Sequence, residues 1–209
     1  MTDKKGLFIT IEGIDGCGKS TQAHKLCEWL EATGHEILRT FEPGDWEGGP
    51  SLRKTLLEGT ALTSRTELLL FLADRSGHLD AKISPALRSG RWVVCERYTD
   101  STLAYQSWGR GIAFEEINGL LNWCRFLVPD LTIFLDVDVK TAASRLSRRG
   151  RPDRIESGED GFMARVALGY RELARLNAGR IRTVDAGREV DRVAASIRER
   201  VHEYLGEKR

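Results

Sequence analysis

The residues with the clearest chemistry are Gly13-Ile14-Asp15-Gly16-Cys17-Gly18-Lys19-Ser20, which complete the phosphate-loop pattern G-x-x-x-x-G-K-[ST]. Each fixed type has a task on a triphosphate. Glycines let successive backbone N–H groups curl around anionic oxygens. Lys19 reaches the β- and γ-phosphates, and the Ser20 hydroxyl is a ligand type for Mg²⁺. A helix opening at Gly18 aims its positive end at the same charge. The candidate donor-nucleotide cradle is therefore Gly13, Ile14, Asp15, Gly16, Cys17, Gly18, Lys19, Ser20 and Thr21. A glycine-rich turn without a ligand is the plain alternative. The flanks argue against it, because Leu7-Phe8-Ile9-Thr10-Ile11 reads as a strand, while Ala23, Leu26 and Leu30 repeat at helical spacing. Cys17 is read as a small filler, with a redox role the alternative.

A second chemical segment is Ser144-Arg145-Leu146-Ser147-Arg148-Arg149-Gly150-Arg151-Pro152-Asp153-Arg154. A charge run is commonly a solvated face. Gly150 and Pro152 break a helix inside this one, which favours a flap over about 147–157. A closing guanidinium suits phosphoryl transfer, where charge spreads over the γ-phosphoryl oxygens. Further candidates are Phe71 and Arg75, four apart on one helix face and able to stack on and hydrogen-bond a flat base. Judged alone, Phe71 in a leucine run equally suits the core. Ser101, Thr102, Tyr105 and Gln106 offer hydroxyls and an amide, or serve as caps and surface polars.

These residues need elements to hold them. Five β-type runs, at 7–12, 36–41, 92–96, 131–137 and 181–185, alternate with helical stretches near 18–32, 51–58, 64–88, 114–127, 139–148, 160–178 and 189–205. Alternation of β and α with nearly continuous apolar strands predicts an α/β fold, a five-stranded parallel sheet with helices on both faces. Ligands in such sheets sit beyond the carboxyl ends of the strands. The phosphate loop, Glu42-Pro43-Gly44 and Glu96-Arg97-Tyr98 all follow strands on that edge.

The 209 residues read as one domain with 30% charged and 41% apolar residues, a globular composition. A net charge of +1 gives no global attraction to nucleic acid or anionic membrane, so neither is expected as a partner. No apolar run approaches the ~20 residues that span a bilayer, and Met1-Thr2-Asp3-Lys4-Lys5 has no signal-peptide core. The cysteines Cys17, Cys27, Cys95 and Cys124 and the four histidines lack metal-finger spacing, so the expectation is reduced thiols in the cytoplasm. The guanine-reading N-K-x-D is missing: Asn118, Asn122 and Asn177 precede Gly, Trp and Ala. Small-molecule kinase is the reading that remains. A non-catalytic regulatory ATP-binding module is the alternative from another class.

Ile11-Glu12-Gly13 through Ser20, Phe41-Glu42-Pro43-Gly44, Phe71-Leu72-Ala73-Asp74-Arg75, Glu96-Arg97-Tyr98-Thr99-Asp100-Ser101-Thr102-Leu103-Ala104-Tyr105-Gln106, Gly109-Arg110-Gly111-Ile112, Pro129-Asp130-Leu131 to Asp136, and Asp153-Arg154-Ile155-Glu156 occur in this order. In order and spacing they resemble the bacterial thymidylate kinase family along nearly the whole chain. The resemblance implies a P-loop nucleoside monophosphate kinase fold with an Arg-rich lid, and transfer from ATP to dTMP with Mg²⁺. It implies Lys19, Arg97, Arg149 and Asp15 as the catalytic group, Arg145 beside the ATP, and Ser20 and Glu96 toward the metal. It further implies Phe71 stacked on thymine, Arg75 on its carbonyl, Thr102 and Gln106 reading the base further with Ser101 beside them, and Tyr105 crowding the sugar 2′ position. Phe41, Pro43 and Arg53 would line the acceptor site, and a homodimer is implied. With Gly16 in the loop, the family draws its catalytic arginine from the lid, which selects Arg149. Two departures stand out. Glu96 replaces the usual aspartate, and Phe41 replaces an arginine whose acceptor-phosphate contact is then missing or taken by Arg53. Trp108, where many members carry glycine, stacks near substrate or merely packs. Another, or a broader, nucleoside monophosphate kinase is the alternative within enzymes.

Overall fold

In a computed structural model of the chain, which describes residues 6–148 and 161–207, five parallel strands form one sheet in the order β2-β3-β1-β4-β5. The strands are β1 (Phe8–Glu12), β2 (Ile37–Phe41), β3 (Trp92–Glu96), β4 (Leu131–Asp136) and β5 (Ile181–Asp185). They match the five apolar runs of the sequence, trimmed by a residue at some ends. The sheet is covered on both sides because successive side chains alternate. Phe8, Val93 and Cys95 join one core cluster, while Ile9, Ile11 and Val94 join the other. β1 lies in the middle and is buried throughout, as a strand paired on both edges and covered on both faces must be.

The helices are α1 (Lys19–Ala32), α2 (Gly49–Glu58), α3 (Ser64–His78), α4 (Ser84–Arg88), α5 (Thr99–Thr102), α6 (Phe114–Trp123), α7 (Val139–Ser147), α8 (Phe162–Leu176) and α9 (Val190–Glu207). Local chemistry starts several of them. Thr63 accepts a hydrogen bond from the Thr66 N–H to cap α3, and Asp138 accepts one from Thr141 N–H at 2.8 Å to cap α7. The stretch expected as one helix over 64–88 is divided by a π-helical turn, Leu79–Ile83. That wide turn lets Pro85, which has no N–H to give, enter the first turn of α4 without breaking the run.

One helical segment was not expected. Residues 99–109 carry Thr, Asp and Ser, which alone favour caps and turns. They form α5 followed by a second π-helical turn, Leu103–Gly109. Tertiary packing decides the matter. Cβ atoms placed on Gly109 and Gly169 would lie 2.6 Å from the Phe162 ring and 2.8 Å from the Trp108 indole, so this segment and α8 approach to near contact. Trp108 accordingly packs against α8 and, edge to face, against Phe114. The helix expected to 127 ends at Trp123, with Arg125 beyond it in the left-handed region.

Candidate functional site

Sheet register brings the carboxyl ends of β1, β2 and β3 side by side, with Ile11 and Phe41 both opposite Glu96. The loop after β1 wraps there into α1. Gly13 has φ 142° and a Cβ on it would meet the Leu135 carbonyl oxygen at 2.7 Å. Gly16 has φ 82° and a Cβ there would reach the Ala142 carbonyl oxygen at 2.3 Å. An arginine at position 16 would therefore displace the backbone of α7. The glycine that the sequence places there is required by the packing.

Lys19 folds its ammonium over the loop, donating to the Gly13 and Ile14 carbonyls at 3.0 and 2.9 Å, with Asp15 at 3.7 Å. Ser20 Oγ donates to Glu96 Oε2 at 2.6 Å. Arg39 donates to the other Glu96 oxygen at 3.1 Å and to the Ser20 carbonyl at 3.3 Å. A hydroxyl and a carboxylate meeting beside a phosphate loop are an oxygen donor pair of the kind Mg²⁺ takes. The longer Glu96 side chain, in place of aspartate, still reaches Ser20.

Arg97 follows β3 with φ 66°, a conformation uncommon for a non-glycine residue. Its guanidinium is ion-paired with Asp15 and stands 3.1 Å from the Tyr105 hydroxyl, over whose ring it also lies. Tyr105 donates to Asp15 Oδ2 at 2.7 Å. Burial by itself would raise the Asp15 pKa. The Arg97 and Lys19 charges and the Tyr105 and Arg97 hydrogen bonds outweigh it and hold the carboxyl well below the usual carboxylate range. Behind Arg97, Glu12 is pushed up to about 7, first by burial and then by the Asp100 charge.

A cavity of about 400 Å³ opens from these groups. Lys19 and Ser20 stand among its lining residues together with Phe71, Arg75 and Gln106. Arg75 is fully buried and fixed on every nitrogen. Nε donates to Glu42 at 2.8 Å, Nη1 to Thr102 at 2.8 Å and Nη2 to the Tyr98 carbonyl at 3.0 Å. Its guanidinium also lies over the rings of Tyr98 and Phe126, 5.1 and 5.7 Å from their centroids. Glu42 is held in turn by His78 at 3.1 Å, whose other ring nitrogen is 2.6 Å from Thr40 Oγ1. Gln106 donates to Glu67 at 3.1 Å, and Arg110 pairs with the same carboxylate. Phe71 is half-buried on the wall. Glu42, His78 and Cys95 bring ligand atoms within 4.8 Å of one another, yet Glu42 already carries Arg75 and both His78 nitrogens have partners.

Of the residues singled out from the sequence, Asp15, Lys19, Ser20, Phe41, Pro43, Arg53, Phe71, Arg75, Glu96, Arg97, Ser101, Thr102, Tyr105 and Gln106 all line this cavity. Arg53 reaches the Pro43 carbonyl at 2.7 Å and covers the Phe41 ring, so it stands on the wall where Phe41 replaces arginine. The loop Asp45-Trp46-Glu47-Gly48 is pinned to α3: Asp74 accepts from Gly44 N–H and Trp46 Nε1. Arg145 lies outside the cavity and donates to the Ala186 carbonyl, joining α7 to the loop after β5. Trp108 packs and does not line it. Arg149, Arg151 and Arg154, with most of the expected lid, lie outside the described residues. Arg39, Glu12, Glu67 and His78 were not singled out. Only Arg39 had a readable signal, since strand alternation puts it on the same face as Phe41.

The chain was compared with known proteins. A family model described as thymidylate kinase matches residues 11–197. A thymidylate kinase of Gluconobacter oxydans is 46% identical over 206 residues, 96% of each chain, and one of Alkalilimnicola ehrlichii is 45% identical over 199 residues, covering 93% of this chain and 92% of that one. The crystal structure of thymidylate kinase from Ehrlichia chaffeensis superposes with a TM-score of 0.79 at 32% identity, over 95% of this chain and 99% of that one. Phosphate loop, sheet order and relatives agree, and the chain belongs to the thymidylate kinase family, whose members are phosphotransferases acting on nucleoside monophosphates.

Proposed function

We propose that this protein transfers the γ-phosphoryl group of ATP to dTMP, giving ADP and dTDP, as one domain whose lid spans about 147–157. One observation supports the reading: the phosphate-loop Lys19, a fixed Arg75, Phe71 and the Arg97–Asp15 pair all line a single cavity. The acceptor phosphate is already anionic, so transfer needs no strong general base. It needs in-line placement and neutralised charge. Lys19 supplies the charge for the β- and γ-phosphates, Arg97 holds phosphate between donor and acceptor, and Arg149 brings charge from the lid as Arg145 supports the donor side. Asp15 keeps Arg97 oriented and faces the 3′ side of the acceptor sugar. Ser20 and Glu96 would hold Mg²⁺, which supplies charge neutralisation on the β- and γ-oxygens.

On the acceptor side, the Arg75 N–H groups suit a carbonyl oxygen on a base stacked on Phe71, with Thr102 and Gln106 beside it. Tyr105, hydrogen-bonded to Asp15 and Arg97, would crowd a 2′-hydroxyl on the acceptor sugar. In a purified-enzyme screen with ATP, dTMP is expected to exceed dCMP and dGMP as acceptor by about 10²-fold or more in kcat/KM, because the wrong base leaves a buried donor unpaired. Equal rates would leave a broad nucleotide kinase. ATP binding with no ADP released in the presence of dTMP would favour the non-catalytic regulatory module.

The partners are nucleotides. Among the described residues no helix is long and apolar enough to cross a bilayer. The protein acts in the cytoplasm as a homodimer. Trp123 at the end of α6 is 81% exposed and Val128 74%, two apolar side chains left to solvent that a second copy of the chain would cover. Light scattering should give the mass of two chains, and a monomer at micromolar concentration would remove this part of the reading.

A further inference from the structure

We propose that Glu12 is the positioning residue for Arg97, its carboxyl group holding both the left-handed turn and the side-chain partners that aim the guanidinium. This rests on the reading of Arg97 as the phosphate holder. Glu12 ends β1 and is 1% exposed. Its Oε1 accepts from the Tyr98 N–H at 2.7 Å, and its Oε2 from Ser101 Oγ at 2.6 Å and Tyr170 OH at 3.2 Å. The peptide before the turn is tied to the same strand, with Arg97 N–H donating to the Ile11 carbonyl at 3.0 Å. The left-handed residue is thus bracketed by two hydrogen bonds, one to the backbone of β1 and one to the carboxylate at its end. A bulky residue at positive φ persists only where its surroundings over-determine it, and this bracket does so.

The second effect is on the side chain. Ser101 Oγ and Tyr170 OH lie 3.3 and 3.5 Å from Arg97 Nη1, and 2.7 Å from each other. Both are anchored on Glu12, so one carboxyl group fixes the floor beneath the guanidinium while Asp15 and Tyr105 fix its other side. Keeping an acid here is unfavourable in itself, since burial and the neighbouring Asp100 both oppose its charge. Asp100 is matched by Arg180 at 2.7 Å, which leaves Glu12 bonded to neutral groups. Tyr170 also belongs to α8, so the same carboxyl group joins β1, the Arg97 turn and that helix.

The test is a double-mutant cycle in kcat with Glu12→Gln, Glu12→Ala and Arg97→Lys, with melting temperature measured on every variant. Partners that orient a contacting group typically carry about 10- to 100-fold. Glu12→Ala is expected to lower kcat on that scale with the KM for ATP little changed. Glu12→Gln, which keeps one acceptor for the Tyr98 N–H, should recover part of the loss. In the Arg97→Lys background either substitution should cost almost nothing more, because there is no guanidinium left to aim. An equal loss in both backgrounds, or a normal kcat in a folded Glu12→Gln and Glu12→Ala pair, would overturn the proposal. Near-normal kcat in Arg97→Lys alone would instead remove the reading of Arg97, and the proposal with it.

Discussion

Replacing Lys19 with alanine is expected to lower kcat by about 10³-fold or more, with the fold retained. The ammonium is the loop's own cation, held over it by the Gly13 and Ile14 carbonyls, and in the proposed reaction it meets the phosphate oxygens. Phosphoryl transfer has little covalent chemistry for side chains to perform, so a missing charge falls directly on the barrier, and single preorganised donors commonly carry 10²–10³-fold. Coupled ADP production with ATP and dTMP reads the rate, and thermal melting reads the fold. A folded Lys19→Ala variant turning over near the parent rate would overturn the assignment of the donor site.

Arg97→Ala is expected to cost about 10³-fold in kcat and to change stability in a pH-dependent way. The kinetic part follows from charge on the transferring group. Arg149→Ala, measured alongside, should lower kcat far more than it weakens ATP binding, and a change confined to KM would remove its role. The stability part follows from Asp15. Its folded pKa is depressed, so its pairing stabilises the protein above the ordinary carboxylate pKa and loses that effect as pH falls through the folded value. Without Arg97, Asp15 keeps Lys19 and Tyr105 as partners among the described residues against its burial. The variant should therefore melt well below the parent at neutral pH, and the gap should narrow as pH drops below about 4, where the unpaired carboxyl takes up a proton. A gap of constant size across that range would show that the Arg97–Asp15 pair contributes no net stability.

What was readable in the sequence was mostly local. The phosphate loop is contiguous, its strand and helix flank it directly, and the five apolar runs became the five strands. Base-site residues came from the ordered motifs, because nothing local distinguishes Phe71 from a core residue. The groups that hold those residues were hidden for a physical reason. Arg75 meets Glu42 33 positions away, Arg97 meets Asp15 82 away, and Tyr170 meets Glu12 158 away. Spacing within an element carries no trace of such pairs. Polar residues such as Glu12 and Glu67 are also expected on surfaces, and burial is what turns them into anchors. The helix over 99–102 and the turn after it were hidden because contact with α8 overrides a polar, turn-favouring sequence.

The π-helical turn Leu103–Gly109 also bears on chain length. A π turn holds one residue more than the helix around it, and Ser101, Thr102, Tyr105 and Gln106 reach the cavity as two pairs four apart across its start. Deleting a single residue there would let the segment close into an ordinary helix. Residues inside the turn would then change phase against their surroundings, carrying Tyr105 off Asp15 and Trp108 off Gly169. Substitutions in this stretch alter one contact at a time, whereas a one-residue gap would misalign the acceptor wall and the α8 seam together. Among homologues, this segment should therefore vary in residue type far more readily than in length.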